Sequence, residues 1–393
     1  MKRFFYSFFL ILFSFSIAFS QNQEIARVPF ILNNDHIIIQ LRINNSPELN
    51  FMFDSGAGGI LIKKSVSDSL GLEAVTEKTN TGAVGTHTVS ILKGNTVFIG
   101  DAQINGVNMM RDTNEFEELD SGGEVAGIIG FHILSRFVVR VDYDTHELVL
   151  YNRSNFVYNG DGVVVPIVLT YNLPIAVGKI KIDEATVIEG FFLADTGARS
   201  YLIISSPTVD KYDILSKIGD YYALKTGVGS SGKKAKIVYG KVKELDFAEQ
   251  EFGHLPTVFS QAQEGVLSFD GISGIIGNRV LKKFNITFDY QRSLMYLEPN
   301  ANMSKKYKTN VSGFSISYRG GKPFVKDIIE HSPATRAGLR NDDEIIAIDG
   351  KVVENLNHSE VRSYFEKAGE KLELIIQRGS KLKYTEIRLK ELI

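Results

Sequence analysis

FMFDSGAGGILI, residues 51–62, sets one carboxylate and three nearby glycines into an otherwise apolar, strand-like run. An ionised Asp in apolar surroundings costs several kcal/mol unless it is paired or hydrogen-bonded, although Asp-Ser-Gly is also ordinary turn chemistry. A second stretch separates the two readings. FFLADTGARSYLII, residues 191–204, repeats the apolar–Asp–hydroxyl–Gly–Ala–apolar order, with Asp195 in place of Asp54. The surroundings repeat with it: AGIIGFHILSRFVVRVDYDTHELVLY follows the first copy and SGIIGNRVLKKFNITFDYQRSLMYLE the second. Asp54 precedes Gly130 by 76 residues and Asp195 precedes Gly277 by 82, while Asp142 and Asp289 each follow their glycine by 12. Upstream, Pro29 and Pro166 precede their aspartates by 25 and 29 residues. Residues 25–299 therefore read as a tandem duplication.

Each half reads as strands with one short helix. Alternating and β-branched runs such as HIIIQLRI, TVFIG and LVLY are separated by Asn, Gly and Asp turns. FHILSRF and NRVLKKF, after the two Gly-Ile-Ile-Gly runs, predict helices of about two turns each. TGAVGTHTVSI (81–91) and TGVGSSGKKAKIV (226–238) predict a Gly-rich hairpin in each half. His87, near the first tip, is expected at the surface.

Two Asp-Ser/Thr-Gly-Ala motifs, each followed by a hairpin and then by Ile-Ile-Gly, resemble the aspartic proteases, the retropepsin-like branch in particular. The resemblance covers about residues 25–299 and implies a mainly β, two-lobed acid-protease β-barrel fold, both lobes here coming from one chain. It implies Asp54 and Asp195 as the catalytic pair, with Ser55 and Thr196 bracing the two loops by hydroxyl hydrogen bonds. Gly130 and Gly277 would thread through the Asp loops. Gly56 and Gly197 have no Cβ to keep the two backbones apart. Gly82, Gly85 and Thr86, with Gly227 and Gly229, would form flaps over a substrate. Neither hairpin has a tyrosine at its tip, unlike the pepsin-like enzymes.

Beyond EPNANMSKKYKTN (298–310), where the apolar pattern lapses, Ser332-Pro-Ala, Ala337-Gly-Leu, Asp343-Glu-Ile-Ile and Asp349-Gly resemble a bacterial-type PDZ domain, a small α+β fold. The resemblance implies a loop at Ser312, Gly313 and Phe314 whose backbone N–H groups hold a peptide's terminal carboxylate, and a helix over 358–369 closing the groove. The expected boundaries are a signal peptide 1–20, lobes 21–157 and 158–299, a linker 300–307 and the PDZ domain 308–393.

Composition removes other classes. Apolar residues make up 44% and charged residues 23% of 393, values of a folded, multidomain chain. A net charge of −2 offers no footprint for nucleic acid. The absence of cysteine excludes thiol catalysis and zinc–thiolate sites, and seven scattered histidines without a His-x-x-x-His pair argue against a metal. No cofactor is expected. Lys2 and Arg3, the apolar stretch 4–19 and the small residues Ala18 and Ser20 read as a signal peptide. The expectation is an exported protein, periplasmic or extracellular, anchored through 4–19 if that segment is retained, and monomeric, with peptide or protein substrates and a PDZ peptide ligand. Two functions follow: an aspartic endopeptidase, or a peptide-binding and assembly protein on a retired protease scaffold.

Overall fold

A six-stranded antiparallel sheet joins the two halves, in the order Glu24–Asn33, Glu147–Asn152, Phe137–Asp142, Phe284–Asp289, Leu294–Pro299, Val163–Thr170. Three strands come from each half, and the halves meet where Val139 pairs with Phe288. The structure, a computed structural model, describes residues 22–113, 125–227 and 233–393. Residues 1–21 and Gly229 thus lie outside the described residues. The inward side chains of the central sheet, among them Val139, Val141, Ile286 and Phe288, are essentially inaccessible and continue into both lobes as one core. Arg140 crosses the seam and forks onto the Glu298 carboxylate at 2.8 and 2.7 Å. A planar guanidinium suits this bidentate contact.

Above this base each half repeats one topology. In the first, Leu49–Phe53 runs parallel to Gly127–Ile129, which pairs antiparallel with Ile60–Lys63. In the second, Val187–Asp195 runs parallel to Gly274–Gly277, which pairs antiparallel with Leu202–Ile204. Both faces of Gly127–Ile129, Leu202–Ile204 and Gly274–Gly277 are buried, which explains their unbroken apolar sequence. The architecture is two-lobed and mainly β, as the sequence implied.

The helices differ from the sequence expectation. FHILSRF and NRVLKKF make one turn each, Phe131–Leu134 and Asn278–Leu281. Phe137 and Phe284 are already needed as the first residues of central strands. Each lobe also has a second short helix, Lys64–Ser69 and Ser206–Lys211, whose polar sequences lack the apolar periodicity that would reveal them.

Residues 300–308 lie against the second lobe. The buried Lys283 ammonium donates to the carbonyls of Asn302, Met303 and Lys305 at 3.1, 3.0 and 2.8 Å, and the Lys308 N–H donates to the Tyr201 hydroxyl at 2.7 Å. The C-terminal domain has its own sheet, ordered Ser315–Arg319, Lys322–Lys326, Glu344–Ile348, Lys371–Arg378, Lys381–Arg388, and its own core around Phe314, Val361 and Leu374. Its groove helix spans His358–Tyr364, shorter than 358–369, because Asn357 and Glu360 form a capping box at one end and the chain turns at Phe365.

Candidate functional site

The parallel strand pairs end at Asp54 and Asp195, and both carboxyls open onto a cavity of about 1280 Å³ between the lobes. Each aspartate begins a tight loop closed by its own carboxylate. The Gly56 N–H donates to Asp54 Oδ1 at 2.7 Å, and the Gly197 and Ala198 N–H groups donate to Asp195 Oδ1 at 2.8 and 3.1 Å. The glycine after each Ile-Ile passes behind the other strand's loop. A Cβ at Gly130 would lie 1.8 Å from the Asp54 carbonyl oxygen, and one at Gly277 would lie 2.3 Å from that of Ser200. These are backbone obstacles that cannot yield.

Ser55 and Thr196, both fully buried, lock the loops together. The Ser55 N–H donates to Thr196 Oγ1 at 2.9 Å and the Thr196 N–H to Ser55 Oγ at 3.0 Å, while Ser55 Oγ–H donates to the Ala194 carbonyl at 2.7 Å. This exchange brings each carboxyl over the opposite glycine. A Cβ at Gly56 would sit 2.6 Å from Asp195 Cγ, and one at Gly197 would sit 2.3 Å from Asp54 Cγ.

The two carboxyls are hydrogen-bonded to each other. Burial first, and the neighbouring Asp195 charge second, push the Asp54 carboxyl well above the usual carboxylate range. Burial raises Asp195 too, but the hydrogen bonds from Asp54, Gly197 and Ala198 counter it. Both carboxyls are thus pushed above the usual range and share one proton, in two titrations that belong to the pair. Asymmetry extends below the pair. The Tyr143 hydroxyl donates to Asn278 Oδ1 at 2.5 Å, but Phe131 takes the place of Asn278 in the other lobe, and the buried Tyr290 hydroxyl has no partner among the described residues.

Sequence reasoning missed the groups that tie each loop to the opposite lobe. The turn Asn33–His36 of the first lobe reaches the second. His36 donates to the Gly197 carbonyl, the Asp35 carbonyl accepts from Asn278 Nδ2 at 2.6 Å, and the Asp35 carboxylate pairs with Arg279 at 2.7 Å and with Lys282. Burial, then the Arg199 charge, depress the His36 imidazole to about 3, keeping it neutral in mild acid. The equivalent turn of the second lobe returns the contact through Asn172 Nδ2, which donates to the Gly58 carbonyl at 3.3 Å. A signal was present, since NNDH and TYNL occupy matching places in the repeat.

Burial alone would raise the Asp35 carboxyl; Arg279 and Lys282 outweigh it and hold it at about 2, below the ordinary 3.8. A depressed carboxylate stabilises the fold above its unfolded pKa and stops doing so as pH falls through the folded one. Asp35→Asn is therefore expected to cost about 1–3 kcal/mol near neutrality. In thermal melts, the deficit should shrink as pH falls from about 4 to about 2. A deficit constant across that window would show that the ion pairs do not carry the effect.

The first hairpin, Ala74–Gly82 with Gly85–Ile99, lies closed across the cleft. At its two-residue tip, the Ala83 carbonyl accepts from the Leu267 N–H of the second lobe at 3.0 Å, and Val84 is buried against Leu173, Ile203 and Leu267 of that lobe. Gly82 and Gly85 pair across the tip, and Thr86 is exposed. Gly227 pairs with Lys234 in the second hairpin. His87 is not a surface residue. Its Nε2 lies 2.9 Å from Oδ2 of fully buried Asp112, and such a carboxylate requires a partner. Val84→Asp would bury a charge in the apolar pocket, so the tip should release. Amide exchange at Leu267 is expected to accelerate at least about tenfold, since exchange there reports the local opening; unchanged protection would mean that the tip contact is not what closes the hairpin.

Two of the three N–H groups of the carboxylate loop in the C-terminal domain are already engaged. Asn310 Oδ1 accepts from the Gly313 N–H at 2.8 Å, the Ser312 N–H at 3.1 Å and Ser312 Oγ at 3.2 Å, and Asn310 Nδ2 donates to the Phe314 carbonyl at 3.0 Å. The sequence reading of Ser312, Gly313 and Phe314 as free donors did not foresee this, because the filling group lies just outside the motif. Gly313 keeps a positive φ of 84°, and a Cβ there would strike Ser332 at 2.2 Å.

Residues 39–133, which hold the Asp54 loop, the first hairpin and Gly130, match the family model described as aspartyl protease. This part of the first lobe is similar to aspartyl protease domains. Residues 324–378 match the PDZ domain model, so the C-terminal sheet is a PDZ domain. The crystal structure of the aspartic proteinase from Irpex lacteus is similar at 12% identity, covering 71% of this chain and 98% of that one, with a TM-score of 0.46. The second lobe supplies Asp195 from outside the matched residues. Among the described residues no three His, Asp or Glu gather as metal ligands, and no helix is long and apolar enough to cross a membrane.

Proposed function

We propose that the protein is an exported aspartic endopeptidase in which Asp54 and Asp195 activate a water for peptide-bond hydrolysis. The observation that carries this reading is the pair of mutually hydrogen-bonded carboxyls, held by reciprocal Ser55–Thr196 contacts at the floor of a cleft. The ionised member of the pair takes a proton from the water as its oxygen bonds to the peptide carbon, and the other gives its proton to the carbonyl oxygen. Collapse of the tetrahedral intermediate returns that proton to the acid and breaks the C–N bond, and the amine leaves with the proton the base took from the water. Export rests on the basic start and the apolar residues 4–19. The PDZ domain takes part in peptide or protein recognition. The test is incubation of the purified chain with a mixed peptide library from about pH 3 to about pH 8, with and without a statine-containing inhibitor. Cleavage blocked by the inhibitor is expected. Intact peptides at every pH would leave the alternative, a peptide-binding protein on a silent scaffold.

A further inference from the structure

The cavity that holds the dyad does not end at the protease lobes. Its wall runs from Asp54 and Asp195 past Tyr201 to Lys308, and on to Phe314 and Ile316 of the PDZ domain. Two bodies hinged by a loose linker would not keep such a wall. Here the junction is held by the Lys308 N–H on the Tyr201 hydroxyl, the edge-to-face Tyr201 and Tyr307 rings, and the Lys283 ammonium on three linker carbonyls.

The PDZ end of this cavity is an open sheet edge. Ser315–Arg319 is the first strand of its sheet and pairs with Lys322–Lys326 alone among the described residues, so its other side can accept an added strand. Two features restrict what can occupy it. Asn310 already satisfies the Ser312 and Gly313 N–H groups that would hold a terminal carboxylate, so a free C-terminus gains little there. Farther along, Tyr318 stacks on His358 at 3.6 Å between ring centroids, and its hydroxyl donates to the His358 carbonyl at 3.2 Å, bridging the strand to the groove helix. That bridge leaves the part of the edge beside Phe314 and Ile316 open, the part that faces the cleft.

We infer that the PDZ edge and the dyad cleft form one binding site for a single extended polypeptide, which enters the PDZ part as an internal strand and not by its C-terminal carboxylate. This rests on the peptidase reading above and adds the class of substrate: an unfolded chain long enough to lie on both parts, its terminus irrelevant.

The test uses the full chain and β-casein, a disordered protein. After its cleavage sites are mapped, peptides centred on one site are made from about eight to about twenty residues long, each as free acid and as amide, since an extended chain spans about 3.3 Å per residue. The expected result is a rise in kcat/KM of at least about tenfold between the short and long peptides, equal for acid and amide. Ile316→Glu, at a half-buried position on the open edge, should erase the gain from length. Asn310→Gly should empty the loop and give long acids an advantage over amides that the wild type lacks. Equal kcat/KM for short and long peptides in the wild type, or a loss on amidation, would overturn the inference while leaving the peptidase reading intact. No cleavage of casein or any peptide would overturn the peptidase reading, and this one with it.

Discussion

Asp54→Asn and Asp195→Asn are each expected to lower kcat by about 10,000-fold, the upper range for loss of a positioned acid or base. Both variants should melt at the same temperature as the wild type or higher. Burial and mutual repulsion raise the Asp54 carboxyl, and a neutral amide removes that penalty while keeping the shape. The two losses should not add in the double variant, because the pair works as a unit. Wild-type turnover in either single variant would refute the two-carboxylate mechanism. The same pair fixes the expected pH profile. Ala57 and Ala198 have no hydroxyl to donate to an outer carboxylate oxygen, and burial disfavours the charged form in both lobes. The kcat/KM maximum is therefore expected at about pH 4.5–6.5, with Ala57→Thr and Ala198→Thr moving the acidic limb downward.

Gly197→Ala is the second large effect, and it should act without unfolding the chain. Its Cβ would lie 2.3 Å from Asp54 Cγ, so the carboxyl must swing away from its partner. A misplacement of about 1 Å costs about 100-fold in rate when geometry supplies the catalysis. The obstacle at Gly197 is the far end of a side chain, and the loop can survive its movement. Gly130→Ala is the contrasting control. There the obstacle is the Asp54 carbonyl at 1.8 Å, part of the backbone, so loss of the folded state is expected in place of a slow folded enzyme. Circular dichroism and kcat measured on both variants distinguish the two; a folded Gly130→Ala would show that the threading strand has room the geometry does not reveal.

The dyad loops were readable in the sequence because their geometry demands particular residues. A carboxylate, a hydroxyl and a glycine in that order satisfy a tight loop, a cross-lobe hydrogen bond and a close approach, and the chain repeats all three at Asp54 and Asp195. The supporting contacts were not readable. His36 and Asn172 are ordinary turn residues until folding carries each turn onto the opposite lobe, where they bond the Gly197 and Gly58 carbonyls. His87 seemed a surface residue because its partner Asp112 stands 25 positions away on a neighbouring strand. Asn310 escaped notice for a different reason. Its side chain imitates the ligand that the loop was expected to bind, and no motif for the loop extends to it.

Two amide hydrogens on Asp195 against one on Asp54 from their own loops have a consequence for direction. A cleft built from two identical chains has a true rotation axis, and a peptide lies in it either way round with equal energy. Duplication within one chain removes that degeneracy. With one loop amide on Asp54 and two on Asp195, and the PDZ domain attached at one end only, the two orientations of a bound peptide differ in energy. The amino-to-carboxyl sense of the bound chain is thus inherited from small differences between two nearly equal halves.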